Sequence, residues 1–258
     1  MKLNIKPTFL ELTIIFILLA VQLQFAASAR IIHMSGEVKV RLGVDENWQP
    51  AQLNLLLEDI DTIWTGEDGI TVLELNNGQK FQLSANSMLD IADLQKIDEQ
   101  ELFLRLMKMK LGKLEIKKEK TPLRLGTVSV VHGTSQDSSG LPVSPAILAL
   151  LEPMKNGIRD LYKQSYYPNT ILKIEKLHSQ YSDIQDCGEL QYYLGHSFES
   201  IGQPGQATDA YNKVVQSKDE GCQQNQWTTL ATQGVERINN LNQNNSKNRS
   251  NKNEKAEK

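Results

Sequence analysis

An α+β chain of two unlike parts is what this sequence predicts: an N-terminal antiparallel all-β domain and a C-terminal set of α-helical hairpins. Three observations lead there. Apolar residues alternate with period two, in short runs, between Arg30 and Thr134. After Ser144 they recur at helical spacing. Between the two regimes lies "HGTSQDSSGLPVSP", rich in Gly, Ser and Pro, which reads as a linker over 135–144.

Residues 1–29 are set aside first. Lys2 and Lys6 give a positive start, Leu12 to Val21 form a short apolar core, and Ala27 and Ala29 stand in a small-x-small pattern. This predicts a secretory signal peptide cut between Ala29 and Arg30, and hence a periplasmic or secreted protein. The apolar core is well short of the ~20 residues that span a bilayer, so no stable membrane insertion is expected after cleavage. Removing these residues leaves 26 basic and 30 acidic side chains of the original 28 and 31. A mildly acidic chain has no electrostatic reason to bind nucleic acid.

The β domain is expected over 30–134. Val38, Val40 and Leu42 share a face, as do Thr71, Leu73 and Leu75, then Phe81 and Leu83, then Leu89 and Ile91. Leu102, Leu104 and Leu106 continue the alternation, which changes phase at Gly112 as if at a bulge. Asn77-Gly78 suggests a two-residue hairpin turn. That register would set the apolar rows on opposite faces, whereas an odd loop pairs Leu75 with Phe81 and Leu73 with Leu83. Because a one-residue slip inverts a strand, the faces predict the odd loop. Lys108, Lys110, Lys113, Lys117 and Lys118 read as the wet side of a strand.

In the helical part, over 145–240, "SPAILALLEP" opens with a Ser cap and Pro at the first position. Ile171, Ile174 and Leu177 follow, then Tyr193, Leu194, Phe198 and Ile201, then Ala207, Ala210, Tyr211 and Val214. A last helix is expected from about Gln223 to Asn240. Residues 241–258 are Asn- and Lys-rich and are expected to be disordered.

Two family resemblances follow from motifs. Gly36-Val38, Trp48-Pro50, Asp61-Ile63-Thr65-Gly66, Leu73-Leu75-Gly78 and Val131-Gly133-Thr134 resemble the pattern of the FecR domain. Ile60 and His132 depart from it, standing where the family has Gly and Arg. The resemblance implies a β-rich extracytoplasmic module, a β-sandwich by expectation, suited to recognition or scaffolding. Leu194, Gly195, Phe198, Gly202, Ala207 and Tyr211 stand at the spacing of a tetratricopeptide repeat, which is similar over Gly188 to Val214. In such repeats the first helix lines a concave face. The resemblance therefore implies Glu189, Tyr192, His196 and Glu199 as binding residues, with Tyr192 as anchor.

The chemistry of a reaction is harder to find. His33, His132, His178 and His196 are far apart in sequence and lack metal-ligand spacing, and His132 with Ser135 lacks the turn of a serine nucleophile. No cofactor, no metal and no catalytic residue is expected. Cys187 and Cys222, the only cysteines, are expected to form a disulfide in an oxidising compartment. The expected function is a non-enzymatic extracytoplasmic adaptor or scaffold that binds protein or cell-envelope partners. The alternative is a membrane-tethered signal-sensing component related to FecR-type regulators.

Overall fold

The computed structural model describes residues 28–45, 47–116, 145–181, 184, 186–217 and 226–256. The apolar core of the expected signal peptide, the Val131-Gly133-Thr134 motif, His132, Ser135, the 135–144 linker and Cys222 all lie outside the described residues.

Eight short strands run from Ala29 to Asp90: β1 (Ala29–Ser35), β2 (Val38–Arg41), β3 (Gln49–Pro50), β4 (Leu56–Leu57), β5 (Thr62–Thr65), β6 (Ile70–Leu75), β7 (Lys80–Leu83) and β8 (Met88–Asp90). They form two antiparallel sheets, ordered β4-β1-β6-β7 and β3-β2-β5-β8. The alternating apolar residues of both sheets meet in one core that includes Ile31, Val40, Ile63, Leu73, Phe81, Leu83 and Leu89. Ala29 belongs to this core, at 2% exposure, although the expected cleavage lies directly after it.

The β6–β7 hairpin settles the register. Leu73 pairs with Phe81 and Thr71 with Leu83. The Leu75 amide donates to the Gln79 carbonyl (2.8 Å) and the Gly78 amide to Leu75 (2.9 Å), closing a loop of Asn76, Asn77 and Gly78. Gly78 has φ +80°, the left-handed residue that a three-residue loop requires. The loop is odd and the apolar faces agree. The pairs are one step of two residues away from those expected.

Asp61 and Thr65 of the "DTIWTG" motif serve as ties. The Asp61 carboxylate accepts the amides of Gly43 and Glu58, each at 2.7 Å. The Thr65 hydroxyl lies 2.5 Å from the Ser84 carbonyl and accepts the Ser87 amide at 2.9 Å, fixing β5 to the β7–β8 turn. Both residues are buried. Each gives backbone groups cut off from water a partner, which buried amides and carbonyls need.

A 3-10 turn at Ile91–Leu94 leads, among the described residues, to six helices: α1 (Glu99–Ile116), α2 (Pro145–Lys163), α3 (Tyr167–Gln180), α4 (Glu189–Ser200), α5 (Pro204–Val215) and α6 (Gln226–Ala256). Helix α1 overturns the strand expected from the Leu102-Leu104-Leu106 alternation, and Gly112 lies within it rather than at a bulge. Its residues from Glu99 to Glu115 are mostly Leu, Met, Lys, Glu and Arg, strong helix formers with no β-branched side chain among them. Leu102 and Leu106, four apart, face the helical core, while Leu104 is exposed. Helix α6 runs on through the Asn- and Lys-rich stretch, where no order was expected. Ala231, Val235 and Ile238 anchor its start on the core, and a helix already nucleated extends without a second nucleation step.

The helical layer is seated on the sheets. Leu161 of α2 enters the β core, and Tyr166 meets Phe81 edge to face with ring centroids 5.3 Å apart. A Cβ on Gly157 would lie 2.2 Å from the Met88 carbonyl, so only glycine allows α2 this close to β8. Polar side chains complete the seat. Asp160 accepts the Ser84 amide (2.8 Å) and hydroxyl and the Ser87 hydroxyl (3.1 Å). The Gln164 amide exchanges two hydrogen bonds with the Gln82 backbone, at 2.9 and 2.8 Å, and so stands in for a further strand on the outer side of β7. Asn169 donates to the carbonyls of Asp93 and Gln95, both at 2.8 Å. Among the described residues, no helix is long and apolar enough to cross a membrane.

Candidate functional site

Helices α4 and α5 form an antiparallel hairpin across the Ile201–Gln203 turn, with α2, α3 and α6 packed beside it. The spacing of Tyr192, Tyr193 and His196 on α4 places three rings on adjoining parts of its surface. Neighbouring helices bring Tyr162 from the end of α2, Tyr167 from the start of α3, Tyr211 from α5 and Trp227 from the first turn of α6.

The result is a continuous aromatic face. Tyr162 stacks on Tyr193, with centroids 4.2 Å apart and planes 29° apart. His196 stands edge-on to Tyr162 at 5.4 Å and lies 6.0 Å from Tyr167 and 6.1 Å from Tyr192. Tyr192 continues the face to Trp227 at 5.5 Å and to Tyr211 at 5.9 Å. Tyr193 and Tyr211 are buried beneath it. Tyr162, Tyr167, Tyr192, His196 and Trp227 remain half-buried and present ring surface to solvent.

The two acidic residues expected here are committed elsewhere. Glu189 is only 7% exposed. It receives Nε and a terminal nitrogen of Arg159 at 2.7 and 2.6 Å and the Tyr193 hydroxyl at 3.0 Å. Glu199 receives Arg237 at 2.6 and 2.7 Å and the Tyr211 hydroxyl at 2.7 Å. Each carboxylate thus accepts three hydrogen bonds of the roughly four that its lone pairs allow. Neither presents a free charge to a ligand. They tie α2 to α4 and α4 to α6, and thereby hold the aromatic face in shape.

Electrostatics follow the same division. Burial pushes the Glu189 carboxyl up, but the Arg159 hydrogen bonds and charge more than offset this and hold it below its ordinary value. The Arg237 hydrogen bond does the same for Glu199 against a smaller effect of burial. Burial raises the Tyr162 phenol, and the neighbouring Tyr192 adds to the shift. Burial lowers His196 and favours its neutral imidazole. The half-buried face thus consists of three phenols, an imidazole and an indole, and carries no carboxylate or ammonium group.

Tyr192 and His196 stand together as the helical spacing implied. Tyr162, Tyr167 and Trp227 complete the face and were not legible from a repeat motif. The one available signal was the pair Tyr166-Tyr167 at the α2–α3 turn, whose rings go opposite ways, one to the β core and one to the face. His33 is exposed on β1, and His178 on α3 lies beside Gln191. Among the described residues no group of three or more His, Cys, Asp or Glu could hold a metal ion. Cys187 sits at the turn before α4 with φ +53°.

No family model matches the chain, and no curated protein or solved structure matches it either.

Proposed function

We propose that this protein is a non-enzymatic extracytoplasmic adaptor, periplasmic or secreted, which holds a protein or cell-envelope partner on its aromatic face. The observation that carries the reading is the face itself. Five half-buried rings lie side by side, flanked by Glu189 and Glu199, whose charges are already met by Arg159 and Arg237. Tyr and Trp give large contact area at small loss of side-chain freedom, which suits a contact surface. The FecR-like motif and tetratricopeptide-like spacing support the same reading, since both belong to families that recognise partners. A disulfide from Cys187 to Cys222 is part of this proposal and would tie the start of α4 to the segment before α6.

Affinity capture from the protein's own envelope fraction tests it. Wild-type protein should retain a partner that a Tyr167→Ser/Tyr192→Ser double variant loses, with helicity and melting temperature little changed. Equal retention by both proteins would overturn the reading.

A further inference from the structure

The outward face of the β3-β2-β5-β8 sheet is not the polar surface that a wet sheet face usually presents. Register places Lys39, Trp64 and Met88 side by side in one cross-strand row, and Arg41, Thr62 and Asp90 in the next. Trp48, one residue before β3, falls beside Arg41. The two indoles lie 6.5 Å apart with planes tilted by 58°. The Lys39 ammonium stands 5.1 Å from the Trp64 ring, and the Arg41 guanidinium 5.4 Å from the Trp48 ring. Neither tryptophan belongs to either apolar core. Both are half-buried because Ala149, Leu150 and Pro153 of α2 rise opposite them and close a groove of about 290 Å³. That is the lower end of the size of small-ligand sites.

The charges in and beside the groove do not cancel. Lys39 pairs with Glu37 at 2.6 Å. Asp90 is met by Lys173 at 2.9 Å and Lys176 at 3.3 Å. Arg41 donates to the Thr62 hydroxyl at 3.1 Å, and that hydroxyl donates on to Asp90 at 3.0 Å. Arg41 borders the groove through Trp48 rather than lining it, and faces the adjoining depression with Thr62 and Asp90; it has no carboxylate partner among the described residues. One cation is thus left unneutralised, held in place beside an indole. Asn86 lines the groove as well, its backbone fixed by bonds to Gly66 and Asn156.

We propose that this groove binds a carboxylate-bearing saccharide, with a sugar ring against the Trp48–Trp64 pair and its carboxylate on Arg41. The C–H groups on a sugar face are weakly positive and suit the negative face of an indole. A single free guanidinium matches a single carboxylate, and planar two-point hydrogen bonding is what this side chain does best. The Asn86 amide can give and accept hydrogen bonds with ring hydroxyls. A nucleic acid fits less well: the indoles are too tilted to sandwich a flat base, and one free cation on a chain of net charge −3 does not attract a polyanion. This groove is separate from the aromatic helical face, and either can fail without the other.

N-acetylmuramic acid and N-acetylglucosamine differ only by a lactyl ether that carries the carboxylate, and they make the test. The full chain has three tryptophans, so indole N–H signals report each site separately. N-acetylmuramic acid should shift the signals of Trp48 and Trp64 but not Trp227, and bind about ten-fold more tightly than N-acetylglucosamine, the worth of one charge-assisted contact. Arg41→Gln should abolish that preference, so that N-acetylmuramic acid binds no more tightly than N-acetylglucosamine. Glucuronic acid should share the preference if the carboxylate matters rather than the lactyl group; if it does not, the site is restricted to the lactyl-bearing sugar. The proposal is overturned if no sugar shifts Trp48 or Trp64, if the two N-acetyl sugars bind wild type equally, or if the preference survives Arg41→Gln. It is also overturned if the peptide Ala-Glu-Ala binds more tightly than either acid sugar.

Discussion

The ring of Tyr211 occupies the space that a side chain on Gly195 would need. A Cβ placed on Gly195 would stand 2.6 Å from the nearest ring carbon, and one on Gly234, across the ring, 2.4 Å. Tyr211 is fully buried between α4 and α6, so neither neighbour can yield by moving into solvent. Gly195→Leu should therefore destabilise the protein by about 1–3 kcal/mol through overpacking. On an exposed helix the same change would stabilise, since Gly is a poor helix former. A thermal melt separates the two, and a raised melting temperature would refute the close approach.

The seat of α2 on the sheets gives a second expectation. Asp160 is 4% exposed and satisfies the Ser84 amide and two serine hydroxyls. Asp160→Ala leaves the Ser84 amide and hydroxyl without a partner, while the Ser87 hydroxyl keeps the Ala85 carbonyl, and should cost about 2–3 kcal/mol, the upper part of the range for unsatisfied buried groups. Because Leu161 and Tyr166 also enter the β core, wild-type protein should unfold in one transition seen alike by near- and far-ultraviolet circular dichroism. Two resolved transitions would mean that the sheets and helices are thermodynamically separate.

The inward faces of the strands were legible because period two has only one solution once Leu73, Phe81 and Leu83 must all be buried. The same rule failed at Leu102 to Leu106. There, alternation is also compatible with a helix that buries Leu102 and Leu106 and exposes Leu104, and propensity decides between the two. The aromatic face shows a different limit. Tyr192 and His196 share one helix, so spacing alone brings them together. Tyr162, Tyr167 and Trp227 come from three others, and only the packing of those helices unites them. Glu189 looked available for binding because nothing local shows that Arg159, thirty residues earlier, reaches it.

Acid should weaken the protein in two steps. Burial pushes Asp90 up, but Lys173 and Lys176 outweigh it and hold the carboxyl well below its ordinary range; Glu189 and Glu199 are lowered too. With folded values below unfolded ones, the unfolded chain binds more protons as pH drops, so their stabilisation is present above about pH 4.5 and is lost below it. His196 is also lowered, and its neutral form is favoured by folding, so a shallower loss begins near pH 6.5. Urea midpoints measured from pH 7 to 3 should show both steps. His196→Gln should remove only the step that begins near pH 6.5. A midpoint that stays level down to pH 3 would refute the contribution of the paired carboxylates.

Ala29 makes the position of cleavage a question of stability. Its side chain is buried, its neighbour Ser28 donates its amide to Leu57 at 2.9 Å, and the Ser28 carbonyl accepts the Asn76 amide at 3.2 Å. β1 is an inner strand, paired with β4 on one side and β6 on the other. A mature chain beginning at Arg30 would keep the Arg30–Glu74 ion pair but lose both of those hydrogen bonds and the buried methyl. Two hydrogen bonds at ~1 kcal/mol each, together with one buried methyl, set the scale of the loss at about 2–3 kcal/mol. Chains prepared to begin at Ser28 and at Arg30 should therefore differ by that amount in urea unfolding. Equal stability would show that Ser28 and Ala29 contribute nothing, and that cleavage after Ala29 carries no structural penalty.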